Sequence, residues 1–205
     1  FTQALTEAVE QLYGTDIQAN PDYCRIVNQN HAARLGAAVA EAHARGATPI
    51  CGGDVQVQVC YVEPTILLDP PGDSPVMSEE IFGPVLPVVR YNDLSEAIEL
   101  INSRPKPLAL YIYSKEKTSI ERILAETSAG DTCINNNLLH FLHTNLPFGG
   151  VNNSGLGKAH GRYAFEAFSH QRSVLRDRIS LRSLIFPPFG QLTRTLYKVA
   201  IRLLT

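Results

Sequence analysis

Met77-Ser78-Glu79-Glu80-Ile81-Phe82-Gly83-Pro84-Val85 packs two carboxylates, an aromatic ring and a forced turn into one short run, and the chain on either side is read from it. Pro84 fixes its own φ and pushes Gly83 out of the helical region, so whatever precedes the pair ends there. Val85-Leu86-Pro87-Val88-Val89 follows as a short, apolar, β-branched run, which predicts a buried strand edged or interrupted by Pro87. Glu80 and Phe82 are therefore expected on a loop at the mouth of a sheet. In open α/β sheets that is where ligands collect.

Downstream, Asn92 or Asp93 can cap a helix whose apolar face is Leu94, Ala97, Ile98 and Ile101. Leu108 to Tyr113 reads as a strand, Ser114 caps a helix running through Thr127, and Asp131 to Ile134 is a further strand. Strand, helix, strand, helix, strand predicts an α/β fold with a largely parallel sheet and flanking helices. Upstream, the turn cluster Asp69-Pro70-Pro71-Gly72-Asp73-Ser74-Pro75 delivers the chain to the opening motif. Before it stand a buried strand at Pro64 to Leu68, an alternating half-exposed strand at Val55 to Val59, and a short strand with a Gly-Gly turn at Thr48 to Gly53. His31 to Arg45 is an alanine-rich amphipathic helix closed by Gly46, and Phe1 to Tyr13 is helical up to Gly14. That first helix starts in mid-pattern and without Met, the mark expected of a processed chain or a fragment.

At 205 residues and 44% hydrophobic content, the chain suits one large domain or a large part of one. A formal charge of -2 gives no reason to expect nucleic acid as a partner. Cys24, Cys51, Cys60 and Cys133 are irregularly spaced, with no zinc pattern, which points to a reduced, cytoplasmic setting. From Arg172 onward Asp177 is the only acid among Arg172, Arg176, Arg178, Arg182, Arg194, Lys198 and Arg202. The tail 178–205 is thus a separate basic, amphipathic object. Within 189–205, Phe189, Leu192, Leu196, Val199 and Leu203 share one helical face opposite Arg194, Lys198 and Arg202. Two readings stay open: an interfacial helix on an anionic membrane surface, or a docked terminal helix with a solvated basic face.

Regular structure is expected to lapse from Asn135 to His160. This long segment holds His140, His143 and the run Pro147-Phe148-Gly149-Gly150-Val151, a composition that marks a functional loop. Its glycines do not satisfy a phosphate-binding fingerprint and are read as letting the backbone approach a neighbour closely. His140 and His143 lack acidic or thiol companions, so they read as polar loop histidines and no metal site is expected. The cysteines lack an activating base in sequence, and Cys133 reads as a core thiol. Glu79 and Glu80 are either a solvated acidic pair or include a carboxylate that accepts from the vicinal hydroxyls of a ribose.

Glu79-Glu80-Ile81-Phe82-Gly83-Pro84, Lys106-Pro107-Leu108-Ala109-Leu110-Tyr111, Pro147-Phe148-Gly149-Gly150-Val151 with Ser154-Gly155-Leu156-Gly157, and Phe168-Ser169-His170 occur in this order. Together they resemble the NAD(P)-dependent aldehyde dehydrogenases, and the Pro107-Leu108-Ala109-Leu110 and Phe168-Ser169-His170-Gln171-Arg172 stretches resemble the class three, fatty-aldehyde branch. The resemblance covers residues 1–177 and implies the C-terminal part of the catalytic domain. It implies that Glu80 contacts the nicotinamide ribose of NAD or NADP, that Phe82 packs beside the nicotinamide, and that Phe148 lines the aldehyde tunnel. It also implies a homodimer through an oligomerisation strand near 170–175. The parent reaction it implies is thiolate attack on an aliphatic or fatty aldehyde, hydride transfer to NAD(P)⁺ and hydrolysis of the thioester. None of the four cysteines sits in the family's Gly-Gln-x-Cys motif, so no catalytic residue is expected in this chain; nucleophile and general-base Glu are expected upstream of Phe1. The competing expectation is a non-catalytic paralogue that dimerises or sits at the cytoplasmic surface of a membrane.

Overall fold

The computed structural model describes residues 1–176, 178 and 186–204. The chain divides into two units, one formed by Phe1–Arg104 with Glu121–Thr127, the other by Pro105–Ile120 with 128–205. The fold is α/β, with short sheets and flanking helices.

The first unit opens with α1 (Thr2–Tyr13), which stops at Gly14, where φ is +78°. Helix α2 (Gln29–Ala44) begins at Asn28, whose side chain accepts the His31 N–H at 2.9 Å. Ala32, Leu35, Val39 and Ala42 recur on one side of α2 and are buried against Ala47, Val62, Leu67, Val76 and Val85, forming the core of the unit. The sheet beside this core has the order β1 (Thr48–Cys51), β4 (Thr65–Leu68), β5 (Val85–Val88). Strand β4 is central, antiparallel to β1 and parallel to β5, and Thr65, Ile66 and Leu67 are all buried. Strand β5 closes the sheet order, where Pro87 can lack its N–H without breaking an inner ladder.

The alternation at Val55 to Val59 does not yield one strand. Only β2 (Val55–Gln56) pairs, antiparallel with β3 (Tyr61–Val62), while Val57–Val59 forms a 3₁₀ turn closed by Cys60 at φ +52°. The chain must reverse to bring Tyr61 beside Gln56, so these three residues and Cys60 make the hairpin loop. Helix α3 (Pro75–Ser78) follows the turn cluster, and α4 (Leu94–Asn102) is capped by Asp93, which accepts the Ser95 N–H at 2.8 Å.

In the second unit, β6 (Ala109–Ile112) and β7 (Asp131–Ile134) pair in parallel, Ala109 opposite Asp131 and Ile112 opposite Ile134. Their connection includes α5 (Lys117–Glu126). Asn135 clamps the strand ends, accepting the Ser114 N–H and donating to the Ser114 carbonyl, both at 2.9 Å. The segment from 135 to 160 is mostly irregular, with α6 (Leu139–Leu142) and a 3₁₀ turn at Asn152–Ser154. Helix α7 (Gly161–Ala167) follows, residues 169–176 form no regular element, and α8 (Gln191–Leu204) ends the described chain. The domain boundary expected at 177/178 and the tail residues 179–185, Arg182 included, lie outside the described residues, as does Thr205.

Candidate functional site

The loop carrying Glu80 and Phe82 is set by what holds its neighbours. Helix α3 stops at Glu79, which is extended at φ −109° and ψ 159°. Ile81 packs against the core, so the residues on either side of it face outward. Arg34 of α2 grips the same turn: Nη1 donates to the Glu80 carbonyl at 3.2 Å and Nη2 to the Ile81 carbonyl at 2.6 Å, with the Glu79 carboxylate 3.9 Å away. Phe82 sits at φ +49°, a left-handed conformation that costs a side-chain-bearing residue about 1–2 kcal/mol. Gly83 lets the loop press on α2, since a Cβ there would stand 2.4 Å from Leu35 Cδ1. Pro84 then accepts the Thr65 N–H at 2.8 Å and leads into β5.

This geometry leaves the Phe82 ring 81% exposed beside a cavity of ≈ 470 Å³ that it lines with Arg25, Ile26, Val27 and His31. The Arg25 guanidinium is steered by the Tyr61 ring, 5.0 Å below it, and Tyr23, whose hydroxyl donates to the Val62 carbonyl at 2.6 Å, has its phenol pushed upward by burial. The Glu80 carboxylate is exposed and takes no hydrogen bond from the described residues. A free acceptor carboxylate and, two positions on, an exposed flat ring can take a pair of hydroxyl donors and back a planar group. Arg34 is absent from the sequence expectations, and His31 enters them only as the start of a helix. Both sit on the first turns of α2, and only the tertiary fold brings them to the loop.

The approach to α3 is braced from outside. Arg45 reaches Glu41 at 2.7 Å and Asp73 at 2.6 Å, and Ser74 donates to Glu41 at 2.5 Å. Asp69 accepts the Arg90 N–H at 2.9 Å and its Nε–H at 2.6 Å, and these bonds hold its carboxyl below the usual carboxylate range.

Phe148 belongs to the second unit. It bridges to Ala159, accepting the Ala159 N–H at 2.6 Å and donating its own to the Ala159 carbonyl at 3.2 Å. The following glycines are pinned by Lys158, which donates to the Gly149 carbonyl at 2.5 Å and the Gly130 carbonyl at 2.9 Å, and by Asp131, which accepts the Gly149 N–H at 3.0 Å. At Gly150 a Cβ would fall 2.1 Å from the Ser154 carbonyl oxygen, so here the expected close backbone approach is met. Rings surround Phe148. His160 stacks on it at 5.6 Å and 18°, Phe141 meets it edge-on at 4.9 Å, and His140 lies tilted at 5.8 Å with Tyr111 edge-on behind, 5.7 Å away.

His140 corrects an expectation. It is buried, not a polar loop histidine, and both its ring nitrogens, like Nδ1 of His160, are shielded without a hydrogen-bond partner. Leu138, Leu139, Phe141 and Leu142 flank His140, an apolar signal for burial that the polar residues further out obscured, and α6 places it in the ring cluster. Among the described residues no three His, Cys, Asp or Glu side chains stand together as a metal site would require. The four cysteines are free; Cys24 is exposed and the others half-buried.

The profile of the aldehyde dehydrogenase family matches residues 1–174. Aldehyde dehydrogenase family 3 member A2 of Mus musculus is 43% identical over 191 residues, covering 92% of this chain and 38% of that protein. The 4,4'-diaponeurosporen-aldehyde dehydrogenase of Staphylococcus aureus is 41% identical over 187 residues, 91% of this chain and 40% of its own. The solved substrate-bound state of Staphylococcus aureus AldH superposes with a TM-score of 0.82 at 38% identity, over 96% of this chain and 43% of that one. A Mycobacterium tuberculosis aldehyde dehydrogenase complexed with NAD⁺ superposes with a TM-score of 0.71 at 25% identity, over 86% and 38% respectively. The chain therefore spans about two fifths of the curated relatives it matches. The chain belongs to the aldehyde dehydrogenase family.

Proposed function

We propose that this chain is the C-terminal part of the catalytic domain of an NAD(P)-dependent enzyme that oxidises aliphatic or fatty aldehydes to carboxylic acids. In this reading Glu80 receives the ribose hydroxyls, Phe82 backs the nicotinamide, and Phe148 walls the aldehyde path. The bound dinucleotide supplies the electron acceptor; the residues here orient it and exclude water. The observation that carries the reading is the free Glu80 carboxylate and the exposed Phe82 ring on one Arg34-braced turn. Glu80→Gln in a full-length enzyme containing this chain should slow single-turnover NAD(P)H formation about tenfold, the cost of a charge-assisted hydrogen bond. Unchanged single-turnover kinetics would remove the assignment.

The proposal extends to assembly and placement. Val174 and Leu175 are 75% and 94% exposed in a stretch that forms no regular element, which leaves it free to add as a strand to a second copy through 170–175. On α8, Leu192, Leu196, Val199 and Leu203 are exposed on the face opposite Arg194, Lys198 and Arg202, which suits a peripheral contact with an anionic cytoplasmic membrane surface. No helix of the described residues is long and apolar enough to cross a membrane. Co-sedimentation with anionic vesicles should depend on residues 189–205; equal binding with and without them would sink the membrane reading.

A further inference from the structure

The ring cluster behind Phe148 carries more than packing. His140 is 9% exposed, with neither nitrogen hydrogen-bonded, a state that destabilises a protein unless something else is gained. It follows Leu138, a leucine at φ +57°, and the opposite side of the cluster is built on His160 at φ +73° and ψ 138°, so both histidines are delivered by backbone that side-chain-bearing residues rarely adopt. Strain of this kind collects where geometry is functional. Both histidines touch the one ring that faces the aldehyde in the reading above: His160 along its plane, His140 across it, with Tyr111 backing His140.

We propose that His140 is a positioning residue: its ring, together with those of Tyr111 and His160, fixes the Phe148 ring, and through it the preference of the site among aldehydes of different chain length. The inference rests on Phe148 being the aldehyde wall. The contacts that His140 makes in the cluster are ring to ring, and neither of its nitrogens has a hydrogen-bond partner. A held ring keeps its contact with every methylene of a long aldehyde. A ring free to turn loses that contact, and a short aldehyde has less of it to lose.

The test uses the full-length enzyme and steady-state kinetics with a short and a long straight-chain aldehyde. His140→Ala should raise KM for the long aldehyde about fivefold relative to the short one, the fold-change of a lost aromatic pair, with a smaller change in kcat. His140→Phe should restore the wild-type ratio and raise the thermal midpoint, because it keeps the ring and removes the unpaired nitrogens, whereas His140→Gln should not restore it. Where the alanine variant does not fold, His140→Leu, which fills volume without a flat face, takes its place in the comparison. A KM ratio unmoved by alanine or leucine overturns the proposal, and so does rescue by glutamine but not by phenylalanine. Phe148→Ala separates the role of the wall from that of the residue that positions it. If it leaves the ratio unchanged, the wall itself is wrongly placed; if it shifts the ratio while His140→Ala does not, only the positioning role fails.

Discussion

Arg34 reaches from α2 to two carbonyls that lie 46 and 47 positions further along the chain, so the outward angle of Glu80 and Phe82 depends on a side chain the local motif does not contain. Arg34→Met keeps the aliphatic stem and removes both donors. In a full-length enzyme it should weaken NAD(P)⁺ binding about tenfold, read by titration of the nucleotide, since each bond is charge-assisted. Unaltered affinity would show the loop to be held by Ile81 and Gly83 alone. At this scale the sequence was readable where chemistry is local: Glu80, Phe82 and Pro84 declare an acceptor, a ring and a stop within five residues. Arg34 looks like any solvated helix cation because its partners are remote in sequence, whereas His140 carried a local sign of burial in its neighbours Leu138, Leu139, Phe141 and Leu142.

Among the elements, the longer helices α1, α2, α4 and α5 were legible to within about two residues, while the single-turn helices α3 and α6 were not expected. Their signals are short-range: Asn28 and Asp93 cap α2 and α4, and Gly14 stops α1. Strands were less so. The alternation at Val55 to Val59 is a valid strand pattern that the hairpin geometry overrides, and residues 169–175 find no partner strand in the single chain. The Pro147 to Gly157 loop was identified by its composition, but its shape comes from the Phe148–Ala159 bridge and from Lys158. Gly150→Ala tests that shape. With the Ser154 carbonyl 2.1 Å from the new Cβ, the loop must open, destabilising the second unit by about 1–3 kcal/mol in denaturant titration. A loss confined to a few tenths would mean that the glycine is replaceable.

For the whole molecule, titration sets the window of stability. Arg45 and Ser74 hold the Glu41 carboxyl below its ordinary range, Arg45 does the same to Asp73, the Arg90 backbone N–H and guanidinium to Asp69, and Ser95 to Asp93. A depressed carboxyl contributes stability above its unfolded pKa and loses that contribution as pH falls through the folded value. The thermal midpoint should therefore be level from neutrality down to about pH 5 and fall below about pH 4, where unfolded carboxylates take up protons first. Asp69→Asn should flatten that fall. The opposite sign holds for Tyr23, raised chiefly by burial, so stability should decline again above about pH 10.

In the proposed function this chain supplies walls of an aldehyde dehydrogenase site, and none of its cysteines is the nucleophile. The direct measurement is aldehyde-dependent NAD(P)H formation by a full-length enzyme in which Cys24, Cys51, Cys60 and Cys133 are all replaced by Ser, with folding checked by circular dichroism. It should proceed at the unsubstituted rate. Loss of turnover in a folded variant would put the reacting thiol among these four and contradict the account.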